Sequence, residues 1–363
     1  MAIQDHRTSS TPQLNPADQE RELVERFIRS VGRAGVSSDR TEIVNFYVAL
    51  KSKPLAILAG PAGSGKMALV RCLAQTLLGD YCLQCQLMAG HPWWAEKCEN
   101  IAAFAGVQTY FTTEKLFCLI EEAWQPENTG RLFLGCLARI SPAEILEYFC
   151  AVAFQLRHGQ LMRLGNAHLK EPIPWPTNLQ LIGTMDTDRY DWWDDDLFPY
   201  TTVILWNQAG GEAAIYPTLE AAYSNGESEF LRSSLRGEPA VHRKLHTFLG
   251  WRNGRLRQPI RPLLEIEAVL ENIGIQLPHG AIQEALVYLA NAWTRQGAGL
   301  FDPCPVDNLA IALDFAITQA ILPRAAERIG SSQARYDGLR NALNGQFPHA
   351  TGFLESLRGS LRN

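Results

Sequence analysis

The sequence predicts an α/β fold: a parallel sheet covered by helices and carrying a phosphate-binding loop, followed by a C-terminal all-helical domain. Three observations carry this prediction. Five short apolar runs, residues 55–59, 83–88, 132–136, 179–183 and 202–206, have the length and composition of strands buried on both faces. Helical patterns separate them, and strands alternating with helices build a parallel sheet. A glycine-rich turn ending in lysine, Gly60-Pro61-Ala62-Gly63-Ser64-Gly65-Lys66, stands directly between the first apolar run and a helical pattern.

The elements follow in order. Residues 1–17 are polar, rich in Ser, Thr and Pro, and read as a flexible lead-in. Order is expected from Asp18, where Leu23, Phe27, Ile28 and Val31 recur at helical spacing until Gly32 and Gly35 end the pattern. Residues 43–50 make a second helix that stops at Lys53-Pro54 before the first strand. Leu69, Leu73 and Leu77 mark the helix after the loop, and residues 116–123 another. Ser141-Pro142-Ala143-Glu144 offers a cap hydroxyl, a proline at the first helical position and a glutamate three residues on, which starts a third helix through Ile145, Phe149 and Ala153. The strand before it is expected to end near Leu137. Beyond about residue 210 the strand-like runs thin out. Ile282, Leu286, Leu289 and Trp293 keep helical spacing, as do Leu309, Leu313, Ile317 and Ile321 behind an expected Asp307 cap. The domains are expected at 18–225, α/β, and 226–363, helical.

Composition excludes several classes. A chain of 363 residues, 46% hydrophobic and 20% charged, is neither disordered nor repetitive. Its 33 Lys and Arg against 38 Asp and Glu leave a formal charge of −5, so any hold on nucleic acid rests on a local patch. No window approaches the ~20 apolar residues of a membrane span, and the start lacks a signal peptide's apolar core, so a cytoplasmic protein without membrane contact is expected. The eight cysteines are irregularly spaced and read as reduced thiols.

The loop has the chemistry of an anion site. Glycine-rich backbone turns its N–H groups inward, the following helix points its positive end at the same anion, and lysine reaches the outer phosphates. The next residue departs from that plan: a hydroxyl belongs there as a Mg²⁺ ligand, and Met67 offers a soft thioether to a hard cation. At the tip of the third apolar run, Gly135 and Cys136 hold the places where a P-loop ATPase carries Asp-Glu. Glu144 is better explained as part of a helix cap than as a displaced base.

With these residues in view, the chain resembles the McrB-type branch of AAA+ ATPases, the motor subunits of modified-DNA restriction systems. The resemblance runs from about Asp18 to the C-terminus, through the segment 45–66 entering the loop, HPWW at 91–94, ILEYF at 145–149, NLQLIGTMDTD at 178–188, ILPRAAERIG at 321–330 and FPHATGFLESL at 347–357. It implies a P-loop AAA+ domain with a helical lid, assembled as a homo- or hetero-oligomeric ring that holds ATP or GTP between subunits. In that family the ring drives an effector or nuclease partner or remodels nucleic acid. Gly60, Gly63, Gly65 and Lys66 match the family's phosphate loop. Met67, Gly135, Cys136 and Ala138 depart from it, Asp186 stands in place of a sensing Asn, and residues 197–200 show no arginine finger. A missing base costs about 10²- to 10⁴-fold in rate and a missing finger about 10³- to 10⁵-fold. The resemblance therefore implies a non-hydrolysing or weakly hydrolysing relative, a pseudo-ATPase of a prokaryotic defence or mobile-element system, with ATP or GTP as ligand and little hold on Mg²⁺.

Other readings stay open. Six aspartates between Asp186 and Asp196 supply acids for a working NTPase, or form a solvated loop or subunit contact. Cys82, Cys85, His91 and Cys98 suggest zinc by composition, though Cys82 and Cys85 are spaced for opposite strand faces and core cysteines fit better. His242 and His246 lack the glutamate of a metalloprotease. Arg243, Lys244, Arg252, Arg255, Arg257 and Arg261 form a stretch free of acids that suits DNA, a partner subunit, or plain solvent. A hairpin is expected over 156–164. A nucleic-acid-binding module and a scaffold without nucleotide are the remaining alternatives.

Overall fold

The computed structural model describes residues 16–79, 83–89, 115–141, 175–188, 201–210 and 260–360 except 279, 331 and 344, with 231, 241, 243–245 and 247 between them. Its helices are α1 (Pro16–Arg33), α2 (Arg40–Ser52), α3 (Lys66–Leu78), α4 (115–124), α5 (Arg261–Asn272), α6 (Ala281–Asn291), α7 (Pro305–Ala316), α8 (Leu322–Gly330), α9 (Gln333–Leu343) and α10 (Pro348–Ser360). The strands are β1 (Val36–Ser37), β2 (Leu55–Gly60), β3 (Cys85–Ala89), β4 (Phe133–Ala138), β5 (Leu179–Asp186), β6 (Thr201–Leu205) and β7 (Ala209–Gly210). All five apolar runs are strands.

They form one parallel sheet in the order β3-β4-β5-β2-β6. Every residue of β2 and β5 is buried; β2 therefore reads as an unbroken apolar run, while β5 also carries the buried polar residues Gln180, Thr184 and Asp186. The order decides the site. β5 lies between β4 and β2, in register Leu55↔Leu181 through Gly60↔Asp186, so Asp186 ends level with the residue that opens the glycine loop. β1 and β7, two residues each, pair antiparallel as a separate ribbon and are too short to leave a periodic signal.

Helical segments beyond residue 260 pack onto the α/β part through one continuous core that includes Val48, Leu50, Ile204, Leu289, Trp293, Phe315 and Ile321. Buried polar bonds fix the junction. Lys51 Nζ pairs with Glu20, which also accepts from the Tyr47 hydroxyl at 3.1 Å, and Tyr288 donates to Asn45 at 2.7 Å. Glu284 of α6 accepts from Lys53 and from Arg324 of α8, both at 2.6 Å.

The helix expected behind an Asp307 cap starts earlier. Cys304 is its N-cap and Pro305 its first residue, because proline's missing N–H costs nothing there and its φ is already helical. Its pattern continues through a π turn, Ile317–Ile321, into α8. Pro323 explains the widening: it has no N–H for the carbonyl of residue 319, and its ring would strike that carbonyl in a regular helix. Among the described residues, 305–326 has the length and hydropathy of a membrane span, but 83% of its most apolar window is buried inside the protein. The N-terminal segment 1–15, HPWW at 91–94, ILEYF at 145–149 and the hairpin at 156–164 lie outside the described residues.

Candidate functional site: a glycine loop held by two carboxylates

The glycine loop joins β2 to α3, as the sequence predicts. Gly63 and Gly65 take positive φ, 76° and 80°, a region that side chains disfavour, and Gly65 serves as the N-cap of α3. Gly60 is required for another reason. A Cβ there would stand 1.9 Å from the carbonyl oxygen of Trp206, which follows β6. Trp206 is the loop's floor: its backbone N–H donates to Ala59 O and its indole N–H to Ser64 O, both at 2.7 Å. Pro61 O accepts from Ser64 N–H at 3.3 Å.

Lys66 opens α3, and its ammonium is turned into the loop. It donates to Pro61 O at 2.6 Å, Gly60 O at 2.8 Å and Ser64 Oγ at 3.2 Å, and pairs with Asp186 Oδ1 at 3.0 Å. Desolvation lowers the Lys66 pKa, opposed by Asp186 and then Asp188. The two residues after Asp186 also bind the loop: Thr187 N–H donates to Gly60 O at 3.0 Å, and Ala62 N–H donates to Asp188 Oδ2 at 2.8 Å. A carboxylate thus sits on a backbone N–H of the glycine loop.

The position beside Lys66 is built from sulfur. Met67 Sδ lies 3.8 Å from Cys136 Sγ and 3.7 Å from the Thr184 hydroxyl. Cys136 is fully buried, and desolvation raises its thiol pKa far above its ordinary value, so it stays a neutral thiol. A thioether and a neutral thiol do not fit Mg²⁺, which takes oxygen ligands.

Gly135 and Cys136 do not act as a pair. Adjacent strand residues face opposite ways, so only Cys136 reaches Met67. A Cβ on Gly135 would meet Leu181 at 3.0 Å, Leu119 at 3.2 Å and Met88 at 3.4 Å, an apolar pocket on the other face.

One residue of the site carried no role in the sequence reading. Arg139, exposed just beyond β4, takes φ 57° and donates its N–H to Thr184 Oγ1 at 3.0 Å. Left-handed backbone is uncommon for a residue with a side chain, and the charge of Arg139 acts on Lys66.

The described residues of the basic stretch do not share one surface. Lys244 turns inward to donate to Trp293 O at 2.7 Å. Its pKa falls to about 6, by desolvation first and then the charge of Lys51, so it is largely neutral at pH 7 and supplies no cation for a phosphate. Arg261 is exposed and pairs along its helix with Glu265 at 2.6 Å, while Arg243 is exposed. Arg252, Arg255 and Arg257 lie outside the described residues, as do His242, His246, Glu144, Cys82, His91, Cys98 and the aspartates at 191–196. Among the described residues no three His, Cys, Asp or Glu gather as a metal site.

A scan against models of known protein families finds no match, and no curated protein matches the chain.

Proposed function

We propose that this protein is a nucleotide-holding, non-hydrolysing relative of the McrB-type AAA+ ATPases, acting as a subunit of a cytoplasmic homo- or hetero-oligomeric ring. One observation carries the reading: the phosphate-binding half of a P-loop site is built, while its metal half is filled by sulfur. Gly63, Gly65 and the start of α3 present backbone N–H groups, and the carboxylate on Ala62 N–H supports their affinity for anions. Met67 and Cys136, 3.8 Å apart, replace oxygen ligands where Mg²⁺ would bridge phosphates. ATP or GTP would lie against Gly60 to Lys66, and the ring would use it as a fixed structural ligand. An effector or nuclease partner, DNA contact and a role in prokaryotic defence or a mobile element belong to the same proposal by resemblance.

The test is equilibrium binding of ATP and GTP, with and without Mg²⁺, to the wild type and to Lys66→Ala, following phosphate release in the same samples. Binding that requires Lys66, ignores Mg²⁺ and yields no phosphate is the expected result. Sustained Mg²⁺-dependent release that Lys66→Ala abolishes would show a working NTPase that draws acids from elsewhere.

A further inference from the structure

We infer that the segment Asp186-Thr187-Asp188 is an internal strap that closes the phosphate loop, and that the loop accepts an anionic ligand only when this strap is released. The inference rests on the nucleotide-binding reading above and adds its regulation. Three consecutive residues each grip a different part of the loop: Asp186 the Lys66 ammonium at 3.0 Å, Thr187 N–H the Gly60 carbonyl at 3.0 Å, and Asp188 the Ala62 N–H at 2.8 Å. A single stray bond would not run in step along the chain. The register Gly60↔Asp186 between β2 and β5 delivers the strap to the loop.

The lysine is saturated as well. Its three protons have four acceptors within 3.2 Å, all from the protein, so no proton points toward an incoming phosphate. A phosphate must displace Asp188 from Ala62 N–H and take a Lys66 proton from one of these acceptors. While both carboxylates remain, it approaches two negative charges instead of an empty anion nest. Arg139, exposed just beyond β4, adds a positive charge that acts on Lys66.

The two acids do different work. Asp188 is exposed and takes up a donor, so replacing it frees the N–H without opening the core. Asp186 is 8% exposed and neutralises Lys66, so Asp186→Asn keeps an oxygen for the ammonium while removing the charge.

The experiment measures binding of inorganic pyrophosphate and of ATP, without Mg²⁺, to the wild type, Lys66→Ala, Asp188→Ala, Asp186→Asn, the double acid variant, and the double acid variant carrying Lys66→Ala. Amide hydrogen exchange over residues 60–66 is followed in each ligand-free protein, and a cooperative thermal melt confirms folding. Each single variant is expected to bind about tenfold tighter or more, the scale of one hydrogen bond to a charged group, with faster exchange over the loop. Lys66→Ala should remove the gain. Wild-type binding that depends on Lys66 but does not tighten in any acid variant would overturn the strap and leave the nucleotide reading standing. Absence of binding in every protein, the double variant included, would overturn both.

Discussion

Gly60 and Gly135 show how much a single side chain decides. At Gly60 the carbonyl of Trp206 occupies the space of a Cβ, so even alanine would push β2 and β6 apart where the loop begins. At Gly135 the surroundings are Leu181, Leu119 and Met88, all apolar and at 3.0–3.4 Å. Gly135→Asp would press a carboxylate against these apolar groups, at a cost of about 3 kcal/mol or more. Urea unfolding should show the loss, and a midpoint equal to the wild type's would refute this account of the pocket. It follows that an Asp-Glu pair at 135–136 would bring one carboxylate, not two, to the face that Met67 occupies, since only Cys136 faces Met67. The sequence marked Met67, Gly135 and Cys136 as departures from a working site. It did not reveal that two of them touch and the third points away, because facing depends on where β4 ends against α3.

At the scale of elements, α10 shows a helix start supplied from elsewhere. Asp314 of α7 accepts from His349 N–H at 2.9 Å and Ala350 N–H at 2.8 Å, satisfying donors that α10 leaves open. The His349 ring stacks on Phe315, centroids 4.1 Å apart, and its Nδ1 lies 3.1 Å from Glu42 of α2. Burial works against the imidazolium, but the hydrogen bond and charge of Glu42, helped by Asp314 and Asp39, raise its pKa above the ordinary value. A folded-state pKa above the unfolded value of about 6.5 means a contribution fully present below that pH and lost as pH rises through the folded value. The gap in melting temperature between wild type and His349→Gln should therefore be widest near pH 5.5 and close on the way to pH 8.5. A gap independent of pH would show that the ring acts by packing alone. These groups also border a cleft of about 250 Å³ lined by Asn45, Asn207, Gln208 and Gln319.

Across the whole molecule, the junction between the sheet and the C-terminal helices depends on Glu284. It receives Lys53, from the turn before β2, and Arg324, from α8, at 2.6 Å each. Desolvation lowers the Lys53 pKa, and the charge of Glu284 opposes the shift. Glu284→Gln would leave two buried cations facing a neutral amide, with an expected loss of about 2–3 kcal/mol after allowing for partial exposure. A chemical-denaturation series on Glu284→Gln, Lys53→Met and the double variant reads this directly. Single losses that simply add in the double variant would show that the two residues do not interact.

The sequence by itself determined the alternation of strands and helices, the position of the glycine loop and the thioether of Met67 beside its lysine. All three are local: a strand buried on both faces is mostly apolar, a turn with positive φ favours glycine, and a thioether stays soft wherever it is placed. Only the tertiary structure decided what the loop's lysine does. The order β3-β4-β5-β2-β6 lays Asp186 level with Gly60, 126 residues earlier at the start of the loop that ends in Lys66, and the following turn carries Asp188 to Ala62. Lys244 passed from expected surface cation to inward donor for the same reason: the carbonyl of Trp293 comes from the turn after α6. Charge on a side chain is written in the sequence, but its partner is chosen by strand order and packing, through contacts between residues far apart in the chain.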